Sequence, residues 1–341
     1  MSAYRRLVLI TACLTFIVVV VGAFVRLSDA GLGCPDWPGC YGKLTPSNAA
    51  DHIQRAVEEQ GGTHGPVSLP KAWKEMGHRY LAGTLGLLIL AVAVLAWRFR
   101  AASGRTPWLP SMIVLVVAAQ ATLGKWTVTM LLKPAIVTAH LIGGMTTLGL
   151  LVWLGMRESR FGQGVEAQAI KALRPWAIAA LAVLCTQIFL GGWVSTNYAA
   201  LACPDLPLCR GAVVPPMDFH NAFHVVRELG MSPDGSLLPG EALTAIHWAH
   251  RMFALVVVIV VSALAFRVTR IAGLRLLGLV LWATLAGQFL LGVANVFFSL
   301  PLALAAAHNA GAASLLVVLV MINYLSFHGL ALQRGAQPSP A

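Results

Sequence analysis

The sequence predicts an all-α polytopic membrane protein of eight transmembrane helices. Three observations lead there. Only 11% of its 341 residues are charged while 58% are hydrophobic, giving a mean hydropathy of +0.76. Eight apolar runs are each long enough to cross a bilayer. Short polar signatures recur at nearly constant spacing, so the runs divide into two sets of four. Soluble domains carry roughly 25% charged residues, which excludes an ordinary globular enzyme. Abundant apolar surface excludes disorder.

A helix needs about 20 apolar residues to cross the hydrocarbon core. The runs fall at 7–27, 77–97, 109–130, 135–156, 175–197, 243–266, 276–298 and 303–325. They are continuous rather than alternating, which excludes a transmembrane β-barrel. Arg5 and Arg6 precede the first run, as they would in a signal peptide. Its apolar stretch exceeds the usual roughly 7–15 residues and lacks a clear cleavage signature, so it reads as a retained helix.

Charge sets the orientation. The N-terminus, loops 2, 4 and 6 and the C-terminus hold 13 Lys+Arg and 2 Asp+Glu, net +11. The odd-numbered loops hold 7 Lys+Arg and 11 Asp+Glu, net −4, and Arg26, Arg79, Lys125 and Arg251 within or at the ends of spans add +4. Positive charge marks the cytoplasmic side, so both termini are expected inside and the long segments 28–76 and 198–242 outside. The overall charge of +11 is therefore topological, and a nucleic-acid partner is not expected.

The sequence repeats. Cys34-Pro35-Asp36-Trp37-Pro38-Gly39-Cys40 returns 169 residues later as Cys203-Pro204-Asp205-Leu206-Pro207-Leu208-Cys209. His78-Arg79 returns as His250-Arg251, 172 on; Gln120 as Gln288 and His140-x-x-Gly143 as His308-x-x-Gly311, both 168 on. Four spans per half give both halves one orientation, so two tandem four-helix bundles about an axis along the membrane normal are expected. The halves are 1–160 and 161–341.

Polar groups inside a membrane are costly and usually functional. His78, His140, His250 and His308 begin spans 2, 4, 6 and 8, which run from outside to inside. Each follows a proline (Pro70, Pro134, Pro239, Pro301) by 6–11 residues. At about 1.5 Å per residue, all four lie at a similar shallow depth near the outer face. Two imidazoles on neighbouring helices at one height can hold haem iron from both faces, as bundle cores commonly do. The pairs are His78 with His140 and His250 with His308. Gly77, Gly83, Gly143, Gly144, Ala249, Ala307 and Gly311 nearby leave room for a macrocycle. One such histidine alone reads as packing or a proton relay; four in duplicated positions favour axial ligation. Zinc is not expected, because no thiolates accompany them at zinc spacing. Arg79, Arg251 and Lys125 either reach haem propionates or anchor the spans at the interface.

Both cysteine pairs, Cys34/Cys40 and Cys203/Cys209, fall in outer segments, where disulfides persist. Prolines within each motif favour a tight turn, serving either a structural staple or a redox-active disulfide. Cys13 and Cys185 lie in apolar spans and read as inert. Glu75 precedes His78 by three residues, on the same helix face. It is either a proton-handling carboxylate or a favourable charge in the first turn of its span. His247 holds the matching place in the second half, so the halves differ where chemistry would occur. His52, His64, His220 and His224 read as solvated loop histidines, and His328 as uninformative.

Taken together, Glu75-x-x-His78-Arg79, Leu123-Gly124-Lys125-Trp126-Thr127-Val128 and His140-Leu141-Ile142-Gly143-Gly144 resemble heme A synthase. Leu291-Gly292-Val293-Ala294-Asn295 and His308-Asn309-Ala310-Gly311 extend the resemblance over nearly the whole chain. The resemblance implies oxidation of the C8 methyl of heme o to a formyl group, through two hydroxylations and a gem-diol that dehydrates. It implies that heme o, the substrate, meets His78 and His140, with Glu75 as catalytic carboxylate. It implies that haem b, the cofactor, sits between His250 and His308. Cys34 and Cys40 match the family's outer-loop pair, implicated in an electron or thiol relay. Heme o synthase (protoheme farnesyltransferase) as a partner, an electron acceptor of unspecified identity and a bacterial inner-membrane location follow; a homo-oligomer is left open. The competing expectations are a diheme b-type electron-transfer cytochrome, a thiol oxidoreductase and a transporter. Fold alone does not decide among them.

Overall fold

The computed structural model describes residues 3–62, 64–104, 106–159, 161 and 165–334. Eight long helices carry the fold: α1 Ala3–Leu27, α2 Leu69–Arg98, α3 Trp108–Thr129, α4 Pro134–Arg157, α5 Arg174–Thr196, α6 Gly240–Thr269, α7 Arg275–Phe297 and α8 Leu302–Arg334. All eight are long and apolar enough to span a membrane. The chain is a multi-pass membrane protein, and the eight expected spans are the eight long helices.

Their ends differ from the hydropathy reading for local reasons. The second span begins at Leu69 rather than 77, because Ser68 caps it by accepting a hydrogen bond from the Lys71 N–H and Pro70 sits in its first turn. The added turns carry Lys71, Lys74 and Glu75, which a hydropathy window rejects. The sixth span begins at Gly240 rather than 243, and the eighth continues to Arg334 rather than 325. The joints α3–α4 and α7–α8 each turn through two successive left-handed residues, Leu131–Leu132 and Ser299–Leu300. Short helices at Pro46–Ala49, Ala50–Glu59 and Phe219–Ala222 lie in the long connections expected outside. Others at Arg100–Ser103 and Ala167–Ala172 lie at the opposite end of the bundle. Sequence periodicity did not show these five.

The long helices pack as two closed rings. In the first, α1 meets α2, α2 meets α3, α3 meets α4, and α4 returns to α1; α5 to α8 close in the same order. The rings join along a seam where α8 meets α1 and α4, and α4 meets α5. Val8, Leu85, Ile89, Ile113, Leu151 and Leu154 fill the first ring. A larger cluster runs from Met145 and Leu148 of α4 through Leu184, Val261, Leu281 and Leu319, so one apolar core spans the seam and the second ring. Burial is uneven: 61% of the apolar window of α8 is covered by protein, against 11% for α3.

Polar contacts tie the seam at several heights. Thr138 and Thr196 hydroxyls lie 3.1 Å apart between α4 and α5. The Arg26 guanidinium donates to the Ser195 carbonyl at 2.9 Å and stacks on Tyr198, whose hydroxyl donates to Asp29. Within the second ring, the Asn323 amide of α8 donates to the Ala177 carbonyl of α5 at 2.9 Å. Helices α4 and α5 approach closely at Gly192, where a methyl group would stand 2.9 Å from Leu141 Cδ2. Close approach through small residues is how helices gain dispersion energy without a hydrophobic drive between them. Replacing Gly192→Leu therefore forces the seam apart. An overpacking loss of about 1–3 kcal/mol is expected, read as a lowered thermal midpoint of the detergent-solubilised protein. An unchanged midpoint would show that the seam does not depend on this contact.

Candidate functional site

The four histidines occupy equivalent places: His78 early in α2, His140 in α4, His250 in α6 and His308 in α8. His78 and His140 are close enough to interact electrostatically, and so are His250 and His308. Each ring rests against a glycine of the preceding long helix. A methyl group at Gly22, Gly124, Gly191 or Gly292 would stand 2.8, 3.2, 3.0 or 3.2 Å from Cε1 of His78, His140, His250 or His308 respectively. The glycines repeat at offsets of 169 and 168 residues, close to the 172 and 168 of the histidines they receive. Sequence reasoning missed these contacts because it looked for small residues beside each histidine in sequence rather than across the helix pair.

Three of the rings have an unmet demand. Nδ1 of His78, His140 and His308 is buried without a hydrogen-bond partner. Buried polar atoms are nearly always paired, so an orphaned ring nitrogen points to a ligand. Imidazole nitrogen suits iron, and space is present: side chains added at Gly77, Gly83 or Gly287 would meet nothing within 4 Å. Gln288 stands beside His308, with Nε2 3.3 Å from the ring Nε2, and Gln187 stands beside His250. These donors, glycine seats and gaps fit one haem per histidine pair.

The cysteine motifs form two matching caps, one against each helix ring. Both disulfides, Cys34–Cys40 and Cys203–Cys209, are formed, and each motif contains a cis X-Pro bond, Trp37–Pro38 and Leu206–Pro207. An aspartate closes each loop. Asp36 accepts from the Tyr41 and Gly42 N–H groups, and Asp205 from those of Arg210 and Gly211. Tyr41 and Arg210 are both left-handed, so the following glycines complete the same turn. The Gly211 N–H, with that of Arg210, holds the Asp205 carboxyl below its ordinary range.

Arg79 and Arg251 lock these caps to the bundle. Arg79 donates to the Asp36 and Gly39 carbonyls at 2.8 and 2.5 Å and to Glu75 Oε1 at 2.5 Å. Arg251 donates to the Asp205, Pro207 and Leu208 carbonyls at 3.0, 3.2 and 3.0 Å. Their guanidinium groups are thus committed to the cysteine loops, a role neither the propionate nor the anchoring reading contained. Lys125 is exposed. Glu75 is buried to 4% exposure, and its Oε2 accepts from the Cys34 N–H at 2.9 Å. His247 does the equivalent work, its Nδ1 receiving the Cys203 N–H at 3.2 Å. Glu75 therefore joins the first cap to the helix that carries His78. His52, His64 and His220 are exposed. His224 is half-buried with an unpartnered Nδ1 rather than solvated. His328 stacks on Tyr324 at 4.4 Å. Cys13 and Cys185 are free and exposed on the bundle surface.

Comparison with known proteins gives a concordant result. A family model described as cytochrome oxidase assembly protein matches residues 5–320. A protein of Shewanella oneidensis named heme A synthase is 41% identical over 94% of this chain and 95% of its own length. Proteins of the same name from Methylobacterium radiotolerans and Halalkalibacterium halodurans are 28% and 27% identical, covering 99% and 70% of this chain and 94% and 73% of their own lengths.

The glycine seats make a prediction. Gly124→Leu and Gly292→Leu each push one imidazole from its place, and misplacing a metal ligand commonly costs roughly 10–100-fold in affinity. Haem recovered from the purified chain, measured as its pyridine haemochrome, is expected to fall in each variant while both disulfides stay formed. Full haem content in both would show that the seats do not matter.

Proposed function

The chain belongs to the heme A synthase family of cytochrome oxidase assembly proteins, and from that premise we propose that it oxidises the C8 methyl of heme o to the formyl group of heme a. The observation that carries the reading is the repeated seat: an imidazole on one helix, a glycine on its neighbour and, at His78, His140 and His308, a ring nitrogen left for iron. The first ring, within 1–160, takes heme o between His78 and His140. The second, within 161–341, takes haem b between His250 and His308. The closed helix rings and the constant repeat offsets support this division. When bound, haem b supplies one-electron transfer.

Two successive hydroxylations carry the methyl through an alcohol to a gem-diol, which loses water to leave the aldehyde. The protein's part is to orient the macrocycle and handle protons. His78 and His140 fix the plane of the ring system. Glu75 lies one helical turn from His78, with one carboxylate oxygen on the Arg79 guanidinium and the other on the Cys34 N–H. The two donors stabilise the buried carboxylate, and we assign Glu75 the role of base toward the reacting water. His247 in the same place cannot supply a carboxylate, which agrees with a cofactor-only second half. Lys125, exposed at the outer end of α3, is the basic residue we assign to a propionate of heme o. Arg79 and Arg251 act on the haem edges through the loops they hold.

The charge distribution supports cytoplasmic termini with the disulfide caps outside, and family membership supports a bacterial inner membrane. Heme o synthase is the partner that delivers substrate, and the electrons leave to an acceptor in or at the membrane.

The test is pigment extraction and mass analysis from cells with and without heme o synthase. Heme a or its hydroxylated precursor is expected only when heme o is supplied. Haem b alone under both conditions would make the protein an electron-transfer cytochrome instead. The Glu75→Gln chain is expected to bind haem normally and lose about 100-fold in the rate of heme a formation, the low side of general-base contributions. An unchanged rate would remove Glu75 from the chemistry.

A further inference from the structure

Besides Glu75 and His247, the two halves differ at a position across the helix pair from their first histidine, and the difference bears on how firmly each site holds its ring system. His78 and His250 are equivalent, and so are the glycines they rest on, Gly22 and Gly191. Four residues before each glycine, on the same helix face, stand Val18 in α1 and Gln187 in α5. Gln187 Nε2 is 3.2 Å from Nδ1 and 3.5 Å from Nε2 of His250, and it donates to the His250 carbonyl at 3.1 Å. Val18 is buried and offers His78 neither donor nor acceptor, and His78 Nδ1 has no partner. The second histidine of each pair shows no such difference, because Gln120 and Gln288 occupy matching places.

We propose that Gln187 is a positioning residue that makes the second-half site a retaining site, and that Val18 leaves the first-half site able to release its ring system. The proposal rests on the assignment of haem b to the second half and heme o to the first. A histidine that binds iron through one nitrogen keeps a proton on the other, and a partner for that N–H fixes the ring plane. The Gln187 amide can meet either tautomer. As placed, its N–H faces the ring; turned over, its carbonyl oxygen accepts from the ring N–H. That oxygen, Oε1, is buried without a partner in this structure. Oxygen and nitrogen of an amide exchange places by rotation of the terminal group alone. A ring already fixed loses less freedom when its ligand arrives, which tightens binding. A cofactor benefits from that grip, whereas a substrate that must depart as product does not.

The experiment follows haem loss to excess apomyoglobin from the full-length chain in detergent. Gln187→Val is made in a His78→Ala background, so that only second-half haem is read. Val18→Gln is made in a His250→Ala background, which reads only the first half. Gln187→Val is expected to release haem 10–100-fold faster and to shift the low-spin electron paramagnetic resonance signal of what remains. Gln187→Glu, which keeps an acceptor, restores slow release. Val18→Gln is expected to slow first-half release. Unchanged release and an unchanged spectrum in Gln187→Val overturn the proposal while leaving the site assignment intact. A His250→Ala chain that keeps both haems overturns the assignment, and the proposal with it. Should Gln187→Val fail to accumulate, Val18→Gln decides: first-half release no slower than in the parent overturns the proposal.

Discussion

An imidazole surrounded by apolar helices must find a partner, and this single requirement organises the bundle. No water is available in the hydrocarbon core to satisfy a ring nitrogen. The chain places four such rings at matching positions and leaves three with a buried nitrogen unpaired. It also removes the side chain opposite every ring, at Gly22, Gly124, Gly191 and Gly292. Side chains at those points would fill the room the rings need. The order of helices follows, since each histidine helix must run beside the glycine helix that precedes it.

The caps obey the same logic from the loop side. Each cysteine loop presents several carbonyls in one direction, and an arginine one residue after the first histidine of its half collects them. The histidine and the arginine are thus fixed by opposite neighbours: glycine below, loop above. The disulfide and the aspartate keep the loop in the shape that the arginine reads. In the first half a carboxylate completes this junction, and in the second an imidazole does. The two joints share their geometry and differ in the chemistry of one residue.

Much of this was legible in the chain. The eight spans follow from apolar run length, and the histidine pairs and cysteine loops from their repetition. The glycine seats were visible as residues but not as contacts, because hydropathy does not say which helix lies beside which. Gln187 was hidden for the same reason, and no second glutamine marks its place in the first half. The task of Arg79 and Arg251 depends on the path of the cysteine loops, which a motif of seven residues does not reveal. The extra turns of α2 were missed because their charged residues find protein partners, Lys71 at the Gly65 carbonyl, Lys74 over Phe24 and Glu75 at the first cap.

The central position of α8 has a consequence for biosynthesis. It follows the other seven spans in the chain, yet it is the most enclosed and packs on α1, α4, α5 and α7. The first ring can close among α1–α4 while the later spans are still being made. The second cannot, because His308 and the wall that faces α1 and α4 arrive with α8. A translation intermediate lacking that helix would expose the whole inner face of the seam to lipid or to the insertion machinery. Closure of the second ring is thereby tied to the end of membrane insertion, and a chain halted before α8 would carry one finished half and one open one.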